Sequence, residues 1–409
     1  MPHGAPPLKK SVKLADVCYD IRGPVLDAAQ KMERAGQNIL KLNIGNPAAF
    51  GFTAPPAVLQ SVMENLHRAQ GYCDSRGLAE AREAVAAHCL RAGFPTLSTE
   101  NIYLGNGVSE LVQIAVQALL NDGDELLIPA PDYPLWTAVT NLAGGRPVHY
   151  LCREEEDWEP DLDDLQKKIS PRTRGIVVIN PNNPTGAVYS QKTLEAIVEI
   201  ARQHQLVLFA DEIYELLLYD EAKHWPLASL AQDLLCISFS GLSKAYRLAG
   251  FRMGWMTVSG EGQRDASDFL EGLNILCSMR LCANVPAQYA VQTALDDPQN
   301  AAALVLPGGQ LRAQRDTAYR LLQEIPGVSC TLPKAAIYLF PRIDPVMYGV
   351  QDDEALVLDF LQQSGILLVQ GTAFNWRYPD HLRVVFLPDE QTLTDALQCF
   401  AEFMAKRRH

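Results

Sequence analysis

Residues 234–255 read L-L-C-I-S-F-S-G-L-S-K-A-Y-R-L-A-G-F-R-M-G-W, and the fold follows from how this stretch is read. Leu234 to Phe239 is an apolar run of the kind buried in a parallel sheet, and Lys244 follows it closely, ahead of a glycine-containing turn. Outward from it, similar runs alternate with helical periodicity from about residue 77 to about 290, the signature of an α/β sheet. Strands are expected at Ile102 to Leu104, Glu125 to Pro129, Gly175 to Ile179 and Leu206 to Ala210, and helices at Gly77 to Ala92, Ser109 to Leu120 and Lys192 to His204. Beyond about Pro307 the texture changes to a polar amphipathic helix (Gln310 to Glu324), short strands (Tyr338 to Pro341, Ile366 to Val369, Arg383 to Leu387) and a last helix, Leu393 to Lys406. The expectation is a large domain over residues 51–304, with a mainly parallel central sheet flanked by helices. A smaller α+β domain is expected from residues 1–50 and 305–409, including an N-terminal arm.

The chain has 409 residues, 48% of them hydrophobic and 20% charged, enough for a sizeable core. A net charge of −13 argues against nucleic-acid or anionic-membrane partners. No apolar run reaches the roughly 18 residues of a membrane span, and Met1 to Lys13 lacks the apolar core of a signal peptide. Nine dispersed cysteines without a C-x-x-C pair fit structural thiols in a reducing cytoplasm, and no metal site is expected.

Chemically suggestive residues fall just after strands, where α/β sheets bind ligands. Arg252, eight residues beyond Lys244, carries a planar charged fork suited to phosphate or carboxylate. G-N-G-V-S-E (105–110) opens a helix whose N–H groups at Gly107, Val108 and Ser109 suit a phosphate, although such strings also serve as plain strand–helix turns. In P-A-P-D-Y-P-L-W (129–136) the prolines stiffen the chain around Tyr133, which either stacks on a planar heterocycle or packs as a loop residue. N-P-N-N-P-T-G (180–186) offers the amide of Asn183 to a phenolate-like oxygen or a carboxylate, beyond what a mere reversal needs. D-E-I-Y (211–214) sets Asp211 at the end of a buried strand, where a carboxylate is costly unless it meets a cation or acts as a cap. Tyr214 can donate its hydroxyl to a ring oxygen, and Arg383 in H-L-R-V-V-F (381–386) suits a substrate α-carboxylate or a structural salt bridge. A lone lysine is usually a solvated surface residue. An amine accompanied by a phosphate cup, a stacking ring and a carboxylate for a pyridinium nitrogen is what pyridoxal 5′-phosphate requires, since that cofactor carries one aldehyde and one phosphate.

These motifs in this order resemble the fold-type I pyridoxal phosphate enzymes, specifically the class I/II aminotransferases, from about Cys18 to about Pro388. C-Y-D-I-R-G-P (18–24), L-N-I-G-N-P (42–47), G-Y-C-D-S-R-G-L (71–78), P-N-N-P-T-G-A-V-Y (181–189) and S-M-R-L-C-A-N-V-P-A-Q (278–288) are similar to those of the bacterial glutamate–pyruvate, or alanine, aminotransferases. The resemblance implies that Lys244 binds the cofactor aldehyde and shuttles a proton, that Asp211 faces the pyridine nitrogen, and that Asn183 and Tyr214 contact the ring oxygen beneath a stacked Tyr133. It implies phosphate contacts from Val108, Ser109, Ser243 and Arg252, and from Tyr72 toward the partner subunit, hence a cytoplasmic homodimer with composite active sites. Gly45, Asn183 and Arg383 are implied to bind the carboxylate of an amino-acid or 2-oxo-acid substrate, with Tyr19 and Arg22 in an N-terminal lid. Arg280 and Asn284 are candidates for contacts near the dimer boundary or for structural roles. The implied reaction is L-alanine plus 2-oxoglutarate giving pyruvate and L-glutamate.

Three positions depart from the family pattern. Gly241 stands where many relatives have a phosphate-binding Ser or Thr, so Ser240 or Ser243 is expected to substitute. Ala335 and Phe386 are expected to affect substrate range. The rivals are other reactions of the same cofactor (Cβ–S lysis, decarboxylation, O₂-dependent oxidation) and a pyridoxal phosphate-binding regulator, for which the segment before Tyr19 is too short to hold a helix-turn-helix.

Overall fold

The computed structural model describes residues 8–14, 17, 23–95, 97–260 and 265–408. Its centre is an eight-stranded sheet in the order Ile102–Gly105, Gly254–Ser259, Cys236–Gly241, Val207–Asp211, Thr173–Ile179, Glu125–Ala130, Arg146–Arg153 and Glu159–Pro160. Neighbours from Cys236–Gly241 through Arg146–Arg153 pair in parallel, whereas Gly254–Ser259 runs antiparallel to both its neighbours. The central strands are continuous apolar runs because helices cover both faces: Val207–Asp211, Cys236–Gly241 and Gly254–Ser259 are buried throughout. Helix Gln191–Gln203 shows how the sequence writes such a cover. Ser190 caps it by accepting from the Thr193 amide, and Leu194, Ile197, Val198 and Ala201 bury one face.

The expected strands and helices all form, with ends shifted by a residue or two in most cases. Arg146–Arg153, reading R-P-V-H-Y-L-C-R, is a strand not among those read from sequence; charged ends and a proline mask its pattern. The run Ile366 to Val369 is split. Ile366–Leu367 pairs in parallel with Leu40–Lys41, while Val369–Gln370 pairs antiparallel with Leu382–Val385, so each half satisfies a different neighbour. Tyr338–Leu339 flanks the other side of Leu382–Val385. Leu42 lies between these pieces, its N–H donating to Leu367 (3.0 Å) and its carbonyl accepting from Val385 (3.1 Å). This seam carries residues 43–45 alongside Arg383. Among the described residues, no helix is long and apolar enough to cross a membrane.

Candidate active site

A cavity of about 230 Å³ opens beyond the carboxyl ends of the parallel strands. Ile179 and Asp211, the last residues of their strands, form its floor with Ser243 and Lys244, and Asn43, Gly45, Tyr338 and Arg383 close it from the other side. The structure brings together Val108, Ser109, Tyr133, Asn183, Asp211, Tyr214, Ser243, Lys244, Arg252, Gly45 and Arg383 around this one space.

Lys244 points inward and donates to the Gly45 carbonyl at 2.9 Å. Asp211 accepts from Trp136 Nε1 at 3.1 Å through one oxygen, while its other oxygen is buried with no hydrogen-bond partner. Burial pushes this carboxyl up to about 6, against the opposing influence of the Trp136 bond, the nearby Ile213 N–H and the Lys244 charge. An unpartnered buried carboxylate oxygen is costly on its own and calls for a cation or a donor. Tyr214 is buried with its hydroxyl 2.6 Å from that of Tyr338.

Arg383 is 2% exposed and donates to Asn183 Oδ1 at 3.0 Å and to the Asn43 carbonyl. Its guanidinium carbon sits 4.5 Å from the Tyr338 ring centroid and 4.6 Å from that of Phe374. Asn182 and Asn183, adjacent in the 180–186 turn, divide the work. Asn182 ties the turn to itself, accepting from the Thr185 amide and hydroxyl, which leaves Asn183 facing the cavity.

The anion cup forms where helix Val108–Leu119 begins after Gly107, whose φ of +85° suits glycine. A Cβ on Gly107 would collide with the Arg252 guanidinium, and one on Gly254 would lie 2.8 Å from the Val108 nitrogen. Asn106 and Glu110 brace the cup, Glu110 accepting from the Asn106 amide at 2.7 Å. Arg280 meets Glu110 at 3.1 Å, and Asn284 donates to the Asn106 side chain and the Arg252 carbonyl, both at 3.2 Å. Arg280 and Asn284 are therefore placed behind the anion cup.

Other expectations change. Ser240 donates to the buried Glu215 at 2.7 Å and does not line the cavity, so of the two serines only Ser243 stands beside it. Ala335 and Phe386 are fully buried away from the cavity, Ala335 bonded to the Gly186 carbonyl and Phe386 packed beside Tyr219. Neither touches the space where substrate would sit, which removes the basis for expecting them to set substrate range directly. Tyr72 is 81% exposed and does not line its own chain's cavity. Tyr19 and Arg22 lie outside the described residues. Reading the sequence missed Tyr338, Asn43 and Trp136. Trp136 carried a signal, being the one indole donor near the candidate tyrosine loop; Asn43 acts through its carbonyl, which side-chain identity does not announce.

Beside Tyr133, Asp132 is buried and accepts from Asn375 Nδ2 at 2.6 Å and from Thr137 at 3.3 Å, and burial pushes its carboxyl up to about 7. Its unfolded value is near 3.9, so between about pH 4 and pH 7 the unfolded chain releases a proton that the folded chain keeps. The contribution of Asp132 to stability falls as pH rises through that window and levels off above it. His149, which shares Thr137, is pushed down to about 4 by burial and the Lys168 charge, so its own contribution rises over much of the same window, in the wild type and in Asp132→Asn alike. Asp132→Asn removes the Asp132 dependence, so the wild type should lose about 4 kcal/mol relative to the variant across the window. Melting temperatures of both proteins from about pH 4 to pH 8 check this.

An inward lysine, a buried half-satisfied carboxylate and a glycine-lined anion cup at the ends of a parallel sheet define a pyridoxal phosphate-dependent transferase. Residues 37–400 match the model of the aminotransferase class I and II family, and the chain belongs to that family. It is 58% identical to the glutamate-pyruvate aminotransferase AlaA of Escherichia coli K12 over 98% of each chain. It is 56% identical to an alanine aminotransferase of Mycobacterium tuberculosis H37Rv over 98% of this chain and 93% of that one. The crystal structure of an aminotransferase from Escherichia coli superposes with a TM-score of 0.97 at 57% identity, covering 99% of this chain and 100% of that one. An alanine aminotransferase from Pyrococcus furiosus gives 0.92 at 37% identity, covering 98% and 100% respectively. The chain is an aminotransferase of fold-type I whose cofactor is pyridoxal 5′-phosphate.

Proposed function

We propose that the chain transfers an amino group between L-alanine and 2-oxoglutarate, giving pyruvate and L-glutamate. The observation that carries the reading is the convergence, in one cavity, of the Lys244 amine, the unpartnered Asp211 oxygen and the buried Arg383 fork. The names of the relatives at 58% and 56% identity favour this substrate pair.

When bound, pyridoxal phosphate supplies an aldehyde for amine capture and a ring that withdraws electrons from the substrate Cα. Lys244 would hold the aldehyde carbon and, as a free amine, would carry the proton between the substrate Cα and C4′. Asp211, its rotation fixed by Trp136, would offer its unpartnered oxygen to the pyridine nitrogen and favour the protonated ring. Tyr133 would stack on the ring, and Tyr214 would donate to the ring oxygen, with Asn183 alongside. Val108 and Ser109 at the helix start, Ser243 and Arg252 would hold the phosphate. Arg383 and the backbone at Gly45 take the substrate carboxylate, and Asn183 keeps the guanidinium in plane by accepting from it.

The same reading makes the active form a homodimer in the cytoplasm, divided into a large domain over 51–304 and a small one from 1–50 and 305–409. Tyr72 supports the dimer, since it stands out from the surface with exposed Met63, Leu66, Met279 and Leu281 on neighbouring segments. Tyr72 then reaches the phosphate held by the partner chain.

The test is a donor–acceptor panel with purified holoenzyme. Pyruvate should form from L-alanine only when 2-oxoglutarate is supplied, with equal glutamate. Keto acid beyond one equivalent per active site without an acceptor, keto acid with peroxide or thiol, or an amine with carbon dioxide, would replace transamination with another reaction of the cofactor.

A further inference from the structure

Tyr338 stands in the cavity wall with no role in the reaction as described so far. It is buried in the short strand Tyr338–Leu339, and its hydroxyl lies 2.6 Å from that of Tyr214. Space for it exists because residue 45 has no side chain: a Cβ on Gly45 would come within 2.5 Å of the Tyr338 hydroxyl. The charged and titratable groups facing it are Lys244, Arg383 and Tyr214.

Two phenols in contact share one hydrogen bond, and which of them donates decides what the other can do. Each carries one proton and accepts through its oxygen. In the reading above, Tyr214 gives its one proton to the ring oxygen, so the 2.6 Å contact between the two hydroxyls can be donated only by Tyr338.

We propose that Tyr338 is a positioning residue that donates to the Tyr214 oxygen, so that Tyr214 presents its own proton to the phenolic oxygen of the bound cofactor. This rests on the reading of Tyr214 given above. A donor on that oxygen favours its anionic form and lowers the pH at which the lysine-bound cofactor gives up its proton. A second phenol behind the first polarises the bond further, because consecutive hydrogen bonds strengthen one another.

The experiment is an absorbance titration against pH of holoenzyme without substrate, for the wild type, Tyr338→Phe, Tyr214→Phe and the double variant. Phenylalanine at 338 keeps the ring against Arg383, so packing is preserved while the hydroxyl is lost. Tyr338→Phe should move the spectral midpoint upward by about half a pH unit, and Tyr214→Phe upward by more. The double variant should match Tyr214→Phe alone, since a relay without its second member gains nothing from its first. An unchanged midpoint in Tyr338→Phe alongside a shifted one in Tyr214→Phe overturns the relay and leaves the Tyr214 reading standing; so does a double variant that shifts by the sum of the singles. If Tyr214→Phe itself leaves the titration unchanged, the Tyr214 reading falls and the relay falls with it.

Discussion

Lys244→Ala protein is expected to lose amino-group transfer, by about 10⁴-fold or more, together with the visible absorbance of a lysine-bound cofactor. Two functions disappear with one side chain. In the proposed reaction Lys244 is both the amine that anchors the aldehyde and the base that moves the substrate Cα proton. Its ammonium now spends a hydrogen bond on the Gly45 carbonyl, a contact whose loss costs only about 1 kcal/mol. The fold should therefore survive, with a melting temperature close to that of the wild type measured in parallel. Retained turnover, or an unchanged visible spectrum, would exclude Lys244 as the anchor.

Asp211→Asn should lower kcat/KM by roughly 10²- to 10⁴-fold, the range expected when a buried charge pair loses one member at about 3–5 kcal/mol. The variant amide can still accept from Trp136 through its oxygen, which separates the loss of charge from loss of position. What goes is the negative oxygen aimed into the cavity, the atom that in the present arrangement has no donor. Cofactor affinity should weaken as well, because a protonated ring then enters a site without its counter-charge. A variant with wild-type kcat/KM would mean that Asp211 does not face the ring nitrogen.

Five strands of the large sheet were legible because they are buried and read as apolar runs; Gly254–Ser259, equally buried, was not among them, its pattern broken by Gly, Thr and Ser. The cavity floor was legible for a related reason: Asp211 and Lys244 are costly residues placed where a sheet buries its ends, so their cost advertises a use. The roof was harder. Leu40–Lys41 and Ile366–Leu367 are two-residue strands paired across most of the chain, too short to show a period. The contacts they create, the Asn43 carbonyl on Arg383 and the Gly45 carbonyl on Lys244, are backbone contacts and leave no trace in residue type. Ala335 and Phe386 show the opposite failure. Both are departures in motif positions, yet they pack below the Gly186 turn and beside Tyr219, where the sequence difference is absorbed by the core.

The seam at Leu42 also sets an order of events during synthesis. It is stitched to Leu367 on one side and to Val385 on the other, while Arg383 reaches across to Asn183. A ribosome must deliver nearly the whole polypeptide before that wall can close. The nascent chain can already possess its eight-stranded sheet and its lysine, yet it stays inert until the final few dozen residues emerge.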